Sequence, residues 1–162
     1  MITRILGVDP GILHLGAVIL EKNGDHWKIL KTIYINTSSE LTLSKRLHLI
    51  FKSMEDLFRQ YKPDFLALEE PIPKANPQNT AKLTQVFALI LVLAEEEQIP
   101  LKTYAPTMWK RLLCGDGRIK KGDLLKCITK LLGEEIDVKI TNEHILDALG
   151  VAITCALEER VL

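Results

Sequence analysis

The sequence is poor in features that mark whole classes of protein. It has three cysteines in 162 residues, far apart and in no zinc-binding pattern. We interpret them as small apolar packing residues in a reducing compartment. The longest uncharged apolar run, 86–94, is much shorter than the about 20 residues that cross a bilayer. With no signal-peptide layout and no internal repeat, these absences favour a single cytoplasmic domain over residues 1–162, with no membrane partner.

Net charge is also lacking, since 21 basic residues balance 21 acidic ones. The distribution of charge is uneven, however. Eight basic residues and two acidic residues lie between positions 101 and 130, so this segment carries +6 and the rest of the chain −6. The overall neutrality therefore does not exclude a polyanionic partner such as DNA, which a basic segment attracts.

Apolar periodicity predicts five strands and five helices. Continuous or alternating apolar runs predict strands at 5–9, 15–21, 27–35, 64–69 and 101–104. Spacings of three and four predict long helices at 43–61 and 79–98, short ones at 106–113 and 122–132, and a final helix to about 159 with Thr141 as its N-cap. The Asn23-Gly24 pair indicates a hairpin between the second and third strands.

This order predicts an α/β fold with a five-stranded mixed sheet and helices on both faces. Three strands joined by short turns come first, and helices then alternate with strands. We expect the first and fourth strands to be parallel neighbours through a right-handed crossover. The middle of the 79–98 helix is apolar almost all round, which is typical of a helix that is central or covered by a second subunit.

Two apolar strands end on a carboxylate. The run at 5–8 stops at Asp9, and the run at 65–68 stops at Glu69. If the strands are parallel neighbours about 4.8 Å apart, both acids meet at one edge of the sheet. Converging carboxylates repel one another, and a divalent metal ion is the usual remedy. Each acid alone would more often be an ordinary loop residue.

The final helix adds a third group of candidate ligands. Glu143, His144 and Asp147 are spaced three and four apart, which places them on one face near the helix N-terminus. Acids there are also common as first-turn capping residues, and a lone histidine is commonly a surface residue. Together with the strand-end acids, the set suits two divalent ions that hydrolyse a phosphodiester, and a nearby lysine would add positive charge.

Four segments in register resemble the RuvC-type Holliday junction resolvases of the ribonuclease H-like superfamily. They are Asp9-Pro10-Gly11 with Gly16, Ala67-Leu68-Glu69, Ala81-Lys82-Leu83 with Gln85, and Asp147-Ala148-Leu149. The resemblance implies a ribonuclease H-like fold and a homodimeric endonuclease that makes paired, symmetric cuts in four-way branched DNA. It further implies Mg²⁺, two ions per site, with Mn²⁺ as a substitute, and a branch-migration motor as a possible partner.

The resemblance also assigns residues. It makes Asp9, Glu69, His144 and Asp147 the catalytic metal ligands and gives the 79–98 helix to the dimer interface. Lys121 is the candidate catalytic lysine, and the basic segment supplies the residues expected to contact DNA: Lys110, Arg111, Arg118, Lys120 and Lys121.

Two positions depart from the family pattern. His144 stands where many members carry aspartate, and Glu143 is a second candidate for that role. Ile72 stands where some members carry an aromatic residue that stacks on bases, so a nuclease with relaxed preference for branched DNA is one alternative. Others are an RNA-directed nuclease of the same superfamily, an actin-like ATPase domain and a non-catalytic junction-binding protein.

Overall fold

The computed structural model describes residues 1–72, 75–133 and 142–159. Three strands come first: β1 (Ile2–Asp9), β2 (His14–Asn23) and β3 (His26–Asn36). Consecutive strands pair antiparallel, and the β2–β3 hairpin closes where Asn23 pairs with His26. Gly24 takes a φ of 61° in that two-residue turn, a backbone conformation that glycine adopts readily. The predicted hairpin is confirmed.

The remaining strands join this meander in parallel. Helix α1 (Leu43–Tyr61) leads to β4 (Phe65–Glu69), which pairs parallel with β1. Helix α2 (Pro77–Glu96) leads to β5 (Leu101–Tyr104), which pairs parallel with β4. The strand order β3-β2-β1-β4-β5 confirms the mixed sheet with the first and fourth strands adjacent.

Helices cover both faces of the sheet, as predicted. One apolar cluster joins a face of the sheet to α3 (Pro106–Cys114), α4 (Lys121–Leu132) and α5 (Glu143–Glu159). The other joins the opposite face to α1 and α2. None of the helices within the described ranges is long and apolar enough to cross a membrane.

Helix α5 lies unusually close to the sheet. A Cβ atom added to Gly7 would lie 2.1 Å from the Ala148 carbonyl oxygen, and one added to Gly16 would lie 2.2 Å from that of His144. Only glycine allows this approach, so the two residues fix the depth of α5 against β1 and β2. The first turn of α5 is thereby held next to the end of β1.

The first turn of α5 is capped by a residue that the sequence pattern did not indicate. The predicted N-cap, Thr141, lies outside the described residues. The Asn142 side-chain oxygen accepts hydrogen bonds from the backbone N–H groups of His144 and Ile145, at 2.9 and 3.1 Å. This is the bonding of a helix cap, and it orients the turn that carries His144.

The interpretation of the cysteines was wrong for two of the three. Cys114 at the end of α3 and Cys127 in α4 form a disulfide, whereas Cys155 is free and buried in α5. Their 13-residue separation in sequence suggested no contact, but α4 packs back against α3 and brings their Cα atoms to 6.0 Å. The inference of a reducing compartment loses its support with this pairing.

Candidate metal centre

The strand-end acids meet as the parallel pairing requires. Val8 is in register with Leu68, so Asp9 and Glu69 both leave the sheet one residue later, at the same edge. Helix α5 crosses this edge and adds Asp147. Each of the three residues offers an oxygen atom, and these atoms all lie within 4.8 Å of one another. Oxygen atoms at this spacing are suited to hold hard divalent cations.

His144 lies beside this cluster, against Asp9. Its Nδ1 is 3.0 Å from Asp9 Oδ2, and its Nε2 is 3.5 Å from Glu143 Oε1. Neither His144 nor Glu143 belongs to the group of three carboxylates within 4.8 Å. The structure therefore brings all four predicted ligands together, with His144 in contact with one carboxylate and Glu143 further out.

Two aromatic residues that sequence reasoning missed hold the His144 ring. The rings of His14, Tyr34 and His144 stack with centroids 5.2–6.2 Å apart and interplanar angles of 20° or less. His14 Nδ1 also forms a hydrogen bond with the Tyr34 hydroxyl. Stacking of this kind limits the rotation of the imidazole that contacts Asp9.

Trp109 is a further residue that sequence reasoning missed. Its indole N–H donates a 2.7 Å hydrogen bond to Glu69 Oε2, from a fully buried position in α3. A Cβ atom on Gly150 would lie 2.2 Å from the Trp109 ring, so the absence of a side chain there makes room for the indole. Trp109 thus orients one carboxylate oxygen and leaves the other available to a ligand.

Burial and mutual repulsion raise the pKa values of two of the acids. The pKa of Glu69 is raised from 4.5 to about 8, first by burial and then by the neighbouring Asp9 and Asp147. The Trp109 hydrogen bond and the charge of Lys110 lower it in part. Burial and Asp9 raise the pKa of Asp147 from 3.8 to about 6. A bound cation offsets both causes. The donor set and its electrostatics therefore fit a divalent metal centre.

The predicted basic residues divide into two groups. Lys110 and Lys121 face the acids: the charge of each lowers the pKa of Asp147, and Lys121 forms an ion pair with Glu143. The other three lie on the exposed surface of α3 and of the loop before α4: Arg111, Arg118 and Lys120. The first group can act at the metal centre, and the second can extend a positive surface away from it.

A cavity of about 490 Å³ opens beside the carboxylates. Asp9, Glu69 and His144 line one part of it, and the loop after β1 forms a wall. Ile72 also lines the cavity and is 54% exposed. A groove of this kind, next to a metal centre, can admit one strand of an extended substrate.

Comparison with known proteins agrees with this geometry. Residues 5–155 match the family model of the crossover junction endodeoxyribonuclease RuvC. The RuvC of a Shewanella species (strain W3-18-1) is 36% identical over 149 residues, which are 92% of this chain and 84% of that protein. The RuvC of Petrotoga mobilis is 33% identical over 148 residues, 91% and 90% of the two chains.

Solved structures extend the agreement to three dimensions. Thermus thermophilus RuvC in complex with a Holliday junction substrate superposes with a TM-score of 0.88 at 25% identity, over 98% of this chain and 95% of that one. Fowlpox virus resolvase, in complex with Holliday junction DNA, shares the fold, with a TM-score of 0.61 at 15% identity over 95% and 99% of the chains. This chain belongs to the RuvC family of crossover junction endodeoxyribonucleases.

Proposed function

We propose that this protein is a metal-dependent endonuclease that resolves four-way DNA junctions by paired, symmetric phosphodiester hydrolysis. The observation that carries the proposal is the convergence of Asp9, Glu69 and Asp147 within 4.8 Å at one sheet edge, in a chain of the RuvC family. Family membership supports the substrate, and the carboxylate cluster supports the chemistry.

Asp9, Glu69, His144 and Asp147 are the residues we propose as metal ligands, with two Mg²⁺ ions per site and Mn²⁺ as a substitute. When bound, a pair of such ions activates water and stabilises the leaving oxygen of an in-line displacement. Trp109 fixes the orientation of Glu69 through its 2.7 Å hydrogen bond. His144 holds Asp9 through its 3.0 Å contact, so the carboxylates are oriented before substrate arrives.

Lys121 is the proposed catalytic lysine, and Lys110 supports the same site. Both lie close enough to lower the pKa of Asp147. This proximity supports a role for their positive charge in stabilising the phosphate that is cut. Arg111, Arg118 and Lys120 are proposed to contact the phosphates of the junction arms. Such contacts supply affinity that falls as salt concentration rises.

The α2 helix is the proposed homodimer interface. Less of its apolar surface is free for an interface than its sequence suggested, because Val86, Ile90 and Leu93 are buried in the core of the protomer. The opposite side of the helix leaves Val92 65% exposed and Ala88 exposed as well. A two-fold dimer through this side would present two metal centres to a two-fold junction. A branch-migration motor remains a candidate partner, and the cytoplasm a candidate location.

The test is a nuclease assay on a labelled synthetic four-way junction, in Mg²⁺ or Mn²⁺. Linear duplex of the same sequence and an RNA–DNA hybrid serve as matched substrates. We expect paired symmetric nicks on the junction and no cleavage of the duplex. Cleavage of the hybrid alone would contradict the proposed substrate, and binding of the junction without cleavage in either metal would contradict the proposed activity.

A branched-DNA nuclease with relaxed preference is the second candidate function. It is favoured by Ile72, which lines the cavity where some family members carry a base-stacking aromatic residue. The same assay with three-way junctions and flaps separates the two candidates. Comparable rates on all three substrates would support the relaxed nuclease.

A further inference from the structure

Arg46 occupies a position in α1 where an apolar residue is expected. Spacings of four place it in one row with Ile50, Met54 and Phe58, all of which are buried. Arg46 is itself only 6% exposed. A charged side chain on the buried row of an amphipathic helix costs free energy unless a partner compensates it.

The partners of Arg46 leave part of its guanidinium group unused. Its Nε donates a 3.0 Å hydrogen bond to the Thr37 hydroxyl, which in turn donates to the Ile12 carbonyl. Its Nη2 is buried and has no hydrogen-bond partner in the part of the chain that the structure describes. No acid within the described ranges lies at ion-pair distance from Arg46.

Glu55, the other buried charge of α1, has cationic partners on the same helix. It pairs with Lys52 at 3.2 Å and with Arg59 at 3.5 Å. The same helix therefore neutralises a buried anion and leaves a buried cation with no anion from the described residues. This contrast indicates that the anion for Arg46 comes from outside the protomer.

Arg46 lines the same cavity as the metal centre. Asp9 and Glu69 give the cavity its acidic part, whereas Arg46 and Lys82 bring positive charge to it. Asn79, in the first turn of α2, also lines it, so the positive end of that helix dipole is close by. A cavity with a metal-binding part and a cationic part is complementary to a chain of consecutive phosphates.

We propose that Arg46, assisted by Lys82, binds a phosphodiester oxyanion of the cleaved strand next to the one that is cut. The planar guanidinium can offer two donors to one phosphate while Nε stays on Thr37. The Thr37 hydroxyl also donates a hydrogen bond to the Ile12 carbonyl. Arg46 and Thr37 therefore connect the bound strand to the loop that follows Asp9. This substrate contact deepens the proposed function and rests on it.

Neutral phosphate analogues test the contact. Four-way junctions carry a single methylphosphonate at each position around the cut, and their affinities for the full protein are measured in EDTA. At one position per cleaved strand we expect about a 10-fold loss of affinity for the wild type and less than about 2-fold for Arg46→Gln. Identical positional profiles for the two proteins would contradict the phosphate site.

The salt dependence of junction affinity distinguishes a phosphate contact from a structural role, because loss of an arginine that contacts no phosphate would leave this dependence unchanged. Arg46→Gln removes one phosphate contact from each protomer of the proposed dimer, so it should lower the slope of log affinity against log salt by about 2, whereas Arg46→Lys should keep the slope. Thr37→Val removes the hydrogen bond to Nε but not the charge, and should also keep it. Lys45→Gln is the matched control, since Lys45 is exposed and does not line the cavity.

The outcomes separate this inference from the proposed function. Urea unfolding of each variant shows whether it is folded. If Arg46→Gln is not, the wild-type methylphosphonate profile decides, because a profile with no sensitive position next to the cut contradicts the phosphate site. Normal cleavage of unmodified junctions by the wild type, with an unchanged salt slope in a folded Arg46→Gln, contradicts the phosphate site alone. A wild type that neither binds nor cuts four-way junctions contradicts the proposed function and this substrate contact with it.

Discussion

The two faces of the sheet are packed by helices that bury very different shares of their surface. Helix α5 buries ten of its 17 residues, and its backbone lies against Gly7 and Gly16. Helix α2 buries four of its 20 residues and leaves Val92 65% exposed on its outer side. The α5 face is thus largely buried within the protomer and carries the candidate metal centre, while the α2 face leaves apolar surface exposed, as the proposed dimer requires.

Removal of one carboxylate on the α5 face should have the largest effect. Asp9→Asn takes away one of the three proposed oxygen ligands but keeps the size of the side chain. We expect cleavage of a four-way junction to fall by about 10³-fold while junction affinity changes less than about 2-fold. Gel-based cleavage and binding assays measure the two quantities.

The control lies on the other face. Asp56→Asn changes an exposed carboxylate of α1 and should cleave at the wild-type rate. A normal rate in Asp9→Asn would show that the metal centre is wrongly assigned.

A charge on the α2 face should disrupt dimerisation and leave metal binding on the α5 face intact. Val92→Glu places a carboxylate in the proposed interface, and we expect the dimer dissociation constant to rise about 100-fold. Paired cuts should be lost, while binding of Mg²⁺ by the protomer persists. Analytical ultracentrifugation and calorimetric metal titration measure these properties.

Leu112→Glu is the matched control for Val92→Glu. Leu112 is 62% exposed, much like Val92, but it belongs to α3 on the opposite face. If Leu112→Glu dissociates the dimer and Val92→Glu does not, the interface lies on the α5 side and the comparison of faces is reversed.

Loss of the indole donor should weaken the metal centre without removing a ligand. Trp109→Phe keeps an aromatic ring in the core but leaves Glu69 without its 2.7 Å hydrogen bond. We expect the Mg²⁺ concentration for half-maximal cleavage to rise by about 10-fold to 100-fold. Trp27→Phe, on β3, is the control and should leave the Mg²⁺ dependence unchanged. An unchanged dependence in Trp109→Phe would exclude the positioning role of the indole.

The effect furthest from activity concerns the stability of the metal-free protein. Because the pKa of Glu69 is raised from 4.5 to about 8, its contribution to stability is fully present below pH 4.5 and is lost as pH rises to 8. At pH 8 in EDTA, Glu69→Gln should therefore exceed the wild type by about 3–4 kcal/mol in free energy of unfolding. The difference should shrink toward pH 5, where the wild-type carboxyl is protonated.

Urea denaturation at several pH values measures this difference. Glu70→Gln, at the next residue, is the control, since Glu70 is exposed and accepts a hydrogen bond from Thr103. A Glu69→Gln protein that is less stable than the wild type at pH 8 would contradict the raised pKa of Glu69, which burial and then repulsion within the cluster cause.

The acids of the site could be predicted because strand ends, helix spacing and the resemblance to a known family all indicate them. Asp9 and Glu69 end neighbouring parallel strands, and Asp147 follows from helix spacing. Trp109 could not be predicted, because a tryptophan in a short amphipathic helix gives no sign of its partner 40 residues earlier. The disulfide was missed for the same reason, since the contact of Cys114 with Cys127 depends on how α4 folds back on α3.

The stack on His144 was hidden by a β-bulge. Counting back from the Gly24-Asp25 turn would pair Tyr34 with Leu15, on the opposite face of the sheet. The register shifts by one residue between Ile19 and Leu20, so that Tyr34 pairs with Gly16 instead. A one-residue shift moves side chains to the other face, and this one brings the Tyr34 ring next to His14. Nothing in the local sequence marked the bulge.

Mixed dimers test most directly whether each protomer carries a complete metal centre on its α5 face and dimerises through its α2 face. Tagged wild type and untagged Asp9→Asn are combined, the mixed dimer is isolated, and its products on a doubly labelled four-way junction are counted. If each α5 face supplies one complete metal centre and the α2 faces join two copies, the mixed dimer cuts one strand of each junction and leaves the other intact. Paired cuts by the mixed dimer, or no cut at all, would contradict that arrangement.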